Sequence, residues 1–290
     1  MVRLLVAITF AIGTLGFLSP AKALVLYSTG NDGGSLYTID SSDGVGTLVG
    51  NFGYSNTYSV AFNPSNVLYS VVDSYDTSTL ATVNLTTGAA TPVGAGTGIL
   101  DLMALGFVPN GTLYAASWST NDLYTLNPTT GAATLVGSLG FSGVMDLQYD
   151  PTNGGLYAIA SLGSGSSLYQ VNTATGAGSL VTTITGDDCL MGLTITPSNQ
   201  FLATDYCAAN SPLYQIDTAT GALTDLGNTG ISGAMGLTYQ SQAVPEPASW
   251  TLLGAALLGV VGVTRRLRPG RGRASFGAGR RQGGSLLQHS

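Results

Sequence analysis

Hydrophobic and polar residues alternate along most of the chain in short runs that are separated by turn residues. The run at residues 123–137, LYTLNPTTGAATLVG, consists of an alternating segment, a polar turn and a second alternating segment. This pattern predicts two antiparallel β-strands joined as a hairpin. Near-copies occur at residues 36–50, 80–94, 168–182 and 213–227, so the chain repeats one structural unit five times.

The turn of each copy has a fixed pattern. It opens on Asp40, Asn84, Asn127, Asn172 or Asp217, at spacings of 44, 43, 45 and 45 residues, and a glycine follows four residues later. Asp and Asn side chains accept backbone hydrogen bonds at the start of a turn, and glycine adopts the left-handed conformation that closes it. The repeat therefore specifies the turn as well as the strands.

Two more strands precede the hairpin in each unit. The first has the form Met/Tyr-x-Val/Leu-x-aromatic/Ile-x-Pro and begins at Tyr58, Met103, Met145 and Met191. A turn and a second strand follow, as at residues 113–115. Four strands in a period of about 44 residues are typical of one blade of a β-propeller.

The two ends of the repeat region predict how the ring closes. The first unit, from Leu24, lacks its opening strand, and a surplus strand of that type occurs at residues 235–239. We expect an all-β, five-bladed propeller of four-stranded antiparallel blades over residues 24–243, in which the last strand completes blade one beside residues 24–28. Closure would remove an aggregation-prone sheet edge. The repeated Met, Leu and Tyr positions are then predicted to be core and not a cofactor site.

Charge is distributed unevenly along the chain. All nine Lys and Arg residues lie outside residues 24–243, and that body contains 14 Asp but no Glu, Lys, Arg or His. A formal charge of −14 argues against nucleic-acid binding, which depends on basic residues that contact phosphates. We therefore expect no nucleic-acid partner.

The same composition restricts catalysis. A nucleophilic triad needs a base, a zinc site prefers His and Cys, and oxyanion stabilisation often uses Arg or Lys. The body offers two cysteines and no His, Lys or Arg. We therefore expect no enzyme but a binding or structural module. The alternatives are a calcium-dependent hydrolase or lactonase-like propeller, with Asp146 as the one carboxylate in an inner strand, and an ice-binding or adhesin role. An ice-binding role would need a flat, regular array of Thr residues, whereas the Thr residues of the repeats lie in turns.

One face of the predicted propeller is rich in aspartate. The turns after the second and fourth strands share this face, and most body carboxylates fall in or beside its loops: Asp32, Asp73, Asp76, Asp101, Asp122, Asp187, Asp188 and Asp205. Variable loops on a rigid scaffold commonly bind ligands. Two interpretations follow for the pairs Asp73 with Asp76 and Asp187 with Asp188. They bind Ca²⁺ weakly, in which case Ca²⁺ is the one cofactor that we expect, or they are solvated carboxylates that keep the protein soluble.

Cys189 and Cys207 are the only cysteines. They flank two predicted strands joined by a turn at residues 197–199. If that turn pairs residue 196 with residue 200, the two cysteines lie opposite each other. In an exported chain this arrangement predicts a disulfide.

Both termini predict export. Residues 1–23 have the form of a signal peptide, with Arg3, an apolar run and a small-x-small cleavage site at Ala21-Lys22-Ala23. Near the other end, Pro245-Glu246-Pro247 precedes 17 uncharged residues (248–264) and the cluster Arg265, Arg266 and Arg268. The uncharged run is just long enough for a transmembrane helix, and the cluster predicts that the body lies outside the cytoplasm.

Residues 244–268 resemble the PEP-CTERM sorting signal in three unlike elements that stand in the expected order. The resemblance implies processing by an exosortase-type membrane transpeptidase, transient anchoring in the inner membrane, and delivery to the envelope or extracellular matrix of a Gram-negative bacterium. Extracellular polysaccharide or a surface protein would then be a partner. The same tail occurs on unrelated cargos, some labelled as ice-binding, so it implies a destination and not an activity. Residues 269–290 depart from the usual pattern, and their basic, Gly-rich composition predicts disorder.

We predict that the mature protein begins at Leu24, because cleavage after Ala23 matches the small-x-small rule. N-terminal sequencing of the envelope fraction checks this. Recovery of protein that retains Met1 would contradict it.

Overall fold

The computed structural model describes residues 24–30, 33–73, 77–163, 165–187 and 189–241. These residues form twenty β-strands in five four-stranded sheets. Among them no helix is long and apolar enough to cross a membrane. The predicted signal peptide, sorting signal, transmembrane helix and basic tail lie outside the described residues.

Each sheet is one blade of a propeller, and its four strands lie side by side in order from the central axis outward. The inner strands β4, β8, β12, β16 and β20 are Val60–Phe62, Leu102–Phe107, Val144–Tyr149, Leu190–Ile195 and Met235–Tyr239. The second strands β1, β5, β9, β13 and β17 are Val25–Gly30, Leu68–Val72, Leu113–Ser117, Leu156–Ser161 and Phe201–Asp205. The third strands β2, β6, β10, β14 and β18 are Ser35–Asp40, Thr79–Val83, Asp122–Leu126, Ser166–Val171 and Pro212–Ile216. The outer strands β3, β7, β11, β15 and β19 are Gly46–Asn51, Ala90–Pro92, Ala133–Ser138, Gly178–Thr183 and Leu223–Asn228.

The last strand closes the ring, as predicted. Blade one has the order β20-β1-β2-β3, so the C-terminal strand of the body is its innermost strand. Antiparallel pairing places Leu26 opposite Tyr239 and Ser28 opposite Leu237. The Ser28 hydroxyl also donates to the Met235 carbonyl at 2.8 Å. The first and last parts of the body are therefore joined within one sheet. Blades two to five are β4–β7, β8–β11, β12–β15 and β16–β19.

The hydrophobic core is divided among the five blade interfaces. Five clusters of buried side chains each combine residues from two neighbouring blades. At the interface of blades one and two, for example, Tyr27 packs edge-on against Phe62. Each blade buries its apolar faces only against its neighbours, which explains why the sequence must repeat. Stacked repeats in general are stabilised in this way.

The repeated turns are as expected and also bring blades together. The Asn84 carboxamide accepts hydrogen bonds from the backbone of Thr86 at 2.8 Å and Thr87 at 3.0 Å. Gly88 closes the turn with φ of 76°. A β-carbon at Gly88 would lie 2.6 Å from the carbonyl carbon of Gly50 in the preceding blade. This glycine is therefore required both for its backbone conformation and for close contact between blades.

Gly236 occupies the closing strand at its contact with blade two. Its φ is 46°, and an added β-carbon would lie 2.5 Å from the Tyr58 carbonyl oxygen and 2.6 Å from the Ser59 α-carbon. Gly230, in the loop before this strand, also has positive φ at 71°, but no atom lies within 4 Å of its added β-carbon. The two glycines share left-handed geometry and differ in the space around them.

We predict that Gly236→Ala lowers the free energy of unfolding far more than Gly230→Ala. The control should cost about 1 kcal/mol of backbone strain. Gly236→Ala adds a backbone clash at the ring closure, and we expect its cost to exceed the control by about 2 kcal/mol or more. Urea unfolding of both variants measures the difference, and equal losses would show that the closing contact tolerates a side chain.

Candidate functional site

Four of the five blades meet at one buried carboxylate near the axis. Asp146, on β12, has no exposed surface. Its Oδ2 accepts hydrogen bonds from the backbone N–H groups of Leu193 and Leu237, both at 2.9 Å. Its Oδ1 accepts from the Ser59 hydroxyl at 2.9 Å and the Leu147 N–H at 3.0 Å. One side chain thus contacts four of the five blades.

Ser59 extends these hydrogen bonds to the remaining blade, because its hydroxyl oxygen accepts from the Leu105 N–H on β8 at 3.0 Å. We call this set of groups, namely Asp146, Ser59 and the amides of Leu105, Leu147, Leu193 and Leu237, the Asp146 network. The equivalent position in the other blades is small: Ser59, Ala104, Gly192 and Gly236. Small neighbours leave room on the axis for a single carboxylate.

Burial raises the pKa of Asp146 to about 8, although the hydrogen bonds donated by Leu193, Leu237, Ser59 and Leu147 act in the opposite direction. Burial removes the water that would solvate an ionised carboxylate, which disfavours the charged form. The side chain is enclosed and its oxygens are occupied. It is therefore a structural group that ties the blades together, not a surface available to a substrate.

A cavity of about 290 Å³ opens on the axis above this network. Its lining includes Met103, Met145, Met191 and Met235, which occupy the same place in four blades, and Tyr58, which occupies it in the fifth. We call it the methionine cavity. These four are all the methionines of residues 24–243. The prediction that the Met, Leu and Tyr positions are core is thus correct for the leucines, but three of the four methionines are only half-buried and line an open site.

β-Bulges account for the direction of three of these methionines. In blade three Leu102 pairs with Ser117 and Ala104 with Ala116, so Met103 has no partner across the strands. Met145 and Met191 are skipped in the same way. A bulge bends the strand and redirects the side chain of the unpaired residue. The bulges therefore direct these side chains toward the cavity and leave the leucines in the interfaces between blades.

Asp101 and Trp118 form one side of the cavity rim. Asp101 has φ of 49°, its carbonyl accepts from the Trp118 N–H at 2.9 Å, and its carboxylate accepts from the Ser119 hydroxyl. Partial burial raises the pKa of Asp101. Trp118 remains 43% exposed, which is unusual for so large an apolar ring. Of the described residues that line the cavity, Asp101 alone carries a carboxylate.

Tyr206 lines another side and is held by the disulfide. Cys189 and Cys207 are bonded with their α-carbons 5.8 Å apart, which confirms the predicted pairing. Between them the Tyr206 N–H donates to the Cys189 carbonyl at 3.1 Å, so a bulge in β16 has shifted the expected register by one residue. The Asp205 carboxylate accepts from the Cys207 N–H at 2.8 Å. Both sulfur atoms and this carboxylate lie close together, but the sulfur atoms are bonded to each other and are not thiolate ligands.

Two of the four candidate calcium ligands, Asp73 and Asp187, are described by the structure, in loops on the face of the methionine cavity. Asp73 is exposed with φ of 56°, and the Asp187 carboxylate accepts from the Cys189 N–H at 2.7 Å. Their proposed partners, Asp76 and Asp188, lie outside the described residues. Calcium ligation by these pairs stays a prediction. Asp101, on the same face, is the aspartate that the structure places at the cavity.

A second cavity of similar volume occupies the opposite end of the axis. It is lined by the other ends of the inner strands, including Phe62, Phe107, Tyr149 and Tyr239. The Asp146 network lies between the two cavities and is closed to solvent. The axis is therefore blocked at its centre, and the methionine cavity is a cup with a floor.

These features define an all-β, five-bladed propeller with a methionine-lined cup on the face that carries Asp101 and Trp118. A chain of a nidogen/laminin complex is similar in fold, with 11% identity, a TM-score of 0.55 and coverage of 75% of this chain and 98% of that one. A protein of unknown function from Bacteroides caccae is similar over 76% of this chain and all of its own, with 12% identity and a TM-score of 0.50. A candidate 6-phosphogluconolactonase from Bacteroides uniformis has 14% identity, a TM-score of 0.48 and coverage of 75% and 99%. At such low identities the first two similarities indicate the fold alone.

The tail is identified by sequence. Residues 243–266 match the PEP-CTERM protein-sorting motif. The chain therefore carries a signal for export to the cell envelope and surface, with processing by an exosortase. No curated protein is detectably similar in sequence to the chain.

We predict that Asp146→Asn destabilises the fold and that the loss is greatest in acid. In either orientation the NH₂ group of the Asn side chain would face two N–H or O–H donors, which now donate to a carboxyl oxygen. Each buried group left unsatisfied costs about 1–3 kcal/mol. The native pKa of about 8 lies above the ordinary value near 3.8. Native protein therefore holds a proton that unfolded protein releases between these values, and wild-type stability falls as pH rises through that window.

Urea unfolding at pH 5, 6, 7 and 8 tests the sign of this effect. The difference in unfolding free energy between wild type and Asp146→Asn should shrink with rising pH, by at most about 1.4 kcal/mol per pH unit. A difference that is constant across the range would show that the carboxyl group is already ionised at pH 5.

Proposed function

We propose that the chain is a non-catalytic binding module of the Gram-negative cell envelope or extracellular matrix, and that its ligand enters the methionine cavity. The PEP-CTERM motif supports the destination. Transient membrane anchoring before processing by the exosortase is part of the proposal. The cavity supports the activity. Four Met side chains, Tyr58, Trp118 and Tyr206 surround a closed cup that is exposed to solvent on one side.

The size and chemistry of the cavity suit a small ligand or a single side chain of a larger partner. Its volume of about 290 Å³ lies at the lower limit for small-molecule pockets, which typically range from about 300 to 1,000 Å³. Methionine side chains adapt their shape and favour contact with varied apolar groups. An exposed tryptophan beside a cavity is typical of the residues that contribute most to binding. A surface protein or polysaccharide of the matrix would supply such a group.

The same geometry argues against the enzyme alternatives. The body has no His, Lys, Arg or Glu to act as base, acid or oxyanion donor. Asp146, the carboxylate that a hydrolase would use from an inner strand, is enclosed beneath the cavity floor. Asp101 is the single carboxylate among the described lining residues, whereas Ca²⁺ takes about 6–8 oxygen ligands.

Binding of N-phenyl-1-naphthylamine, a neutral aromatic probe, tests whether the cup accepts a ligand. We expect energy transfer from Trp118 to the probe in full-length protein that carries Trp250→Phe, which leaves Trp118 as the only tryptophan. Filling the cup with Met145→Phe and Met191→Phe should weaken binding about tenfold or more, because the probe loses the apolar surface that it buries.

The control is Leu162→Ala on the same face. Leu162 is 59% exposed and does not line the cavity, so this change should leave probe affinity unaltered. Failure of the wild type to bind, or equal weakening by both changes, would refute the site. Calcium-dependent hydrolysis of a chromogenic lactone or ester that is lost in Asp101→Asn would refute the non-catalytic role.

A further inference from the structure

We propose that the methionine cavity binds a soft monovalent metal ion, Cu⁺, through its thioether sulfur atoms. This inference rests on the proposed function, because it names the ligand class of the same site. The observation that carries it is the convergence of Met103, Met145, Met191 and Met235 on one axial cup. Thioether sulfur is a soft ligand that selects Cu⁺ over the hard cations Ca²⁺ and Mg²⁺.

The four methionines occupy equivalent positions on inner strands around a narrow axis. Each lies two residues before a leucine whose N–H belongs to the Asp146 network: Leu105, Leu147, Leu193 and Leu237. A single carboxylate oxygen reaches both Leu193 and Leu237 at 2.9 Å, so the inner strands are close together at this layer. Strands β12 and β20, which are not neighbours in the ring, have α-carbons within 8 Å of each other. Long, unbranched methionine side chains just above this layer can therefore meet at the axis.

The surroundings favour a soft cation over other ions. The body has no Lys, Arg or His, and its formal charge of −14 attracts cations and repels anions. The disulfide removes both cysteines as competing ligands. Trp118, Tyr58 and Tyr206 add aromatic rings, which attract cations through their π-systems. Hard cations find only the Asp101 carboxylate among the described lining residues.

Silver ion is the direct probe, because Ag⁺ shares the soft character of Cu⁺ and needs no reductant that would open the disulfide. The protein is the full chain with Trp250→Phe, labelled with ¹³C at the methionine methyl groups. One equivalent of Ag⁺ should quench Trp118 emission and shift the methyl resonances of all four cavity methionines. Millimolar Ca²⁺ or Mg²⁺ should do neither. Competition with a chromophoric Cu⁺ chelator under ascorbate then extends the result to copper.

Two variants separate thioether ligation from attraction by the carboxylate. Met145→Leu with Met191→Leu conserves volume but removes two sulfur atoms, and should weaken Ag⁺ binding at least about a hundredfold, since outer-shell changes alone cost metal sites roughly 10–100-fold. Asp101→Asn keeps a residue that tolerates positive φ and should change Ag⁺ affinity less than about threefold if the thioethers are the ligands. Cys189→Ser with Cys207→Ser should retain Ag⁺ binding.

The inference is overturned if Ag⁺ leaves the four methyl resonances unshifted, if the leucine variant binds Ag⁺ as tightly as wild type, or if Asp101→Asn alone abolishes binding. Should the leucine variant fail to fold, the methyl shifts in protein with unaltered methionines decide the matter. A protein that binds the neutral naphthylamine probe but not Ag⁺ would retain the proposed function and lose only the metal. Absence of both would overturn both.

Discussion

One buried carboxylate joins the blades of this propeller at its axis. The strand ladders pair strands only within each sheet, and the interfaces between blades are largely apolar, so the ladders do not fix where the inner strands stand relative to one another. Single hydrogen bonds join neighbouring blades, such as the one from the Leu190 N–H to the Ser166 hydroxyl at 3.1 Å. Asp146 supplies that constraint, because its two oxygens accept from three other blades as well as from its own. Hydrogen bonds are directional, whereas apolar contacts are not, and a satisfied polar group in a core can specify one arrangement among several.

The floor and the walls of the methionine cavity follow from this constraint. Ala104, Gly192 and Gly236 stand beside Asp146 on the axis, and larger residues there would leave no room for the carboxylate. In blades three, four and five, bulges at the residue before this position direct Met103, Met145 and Met191 away from the packed layer. The cup is thus made by a change from small to long side chains between adjacent layers of the same strands. Its rim is fixed separately, by the turn at Asp101 and by the disulfide that flanks Tyr206.

The fold could be predicted from the sequence because its determinants are local and repeated. The Asn84 and Gly88 turn, the alternation of strands and the surplus strand at residues 235–239 each follow from short-range stereochemistry. The methionine cavity could not be predicted, because a Met in a strand pattern looks the same as a core residue. Only the bulge, which the sequence does not reveal, directs its side chain toward the cavity. The bulge in β16 also altered the pairing of Cys189 by one residue, although the disulfide was predicted correctly. A signal for the Asp146 network was present: one Asp among Ser, Ala and Gly at the same repeat position.

Closure by β20 also sets the order in which the molecule can fold. Ser28 bonds to Met235 across 207 residues of sequence, whereas blades two to five are each built from one continuous segment. Contacts of high sequence separation form slowly. During export from the N-terminus, β1 must wait beside β2 without its inner partner until nearly the whole body has crossed. Leu237, one of the donors to Asp146, also arrives in this last strand. A chain cut short before residue 235 would lack both the seam and part of the axial bond network, so the native ring can form only after β20 has been added.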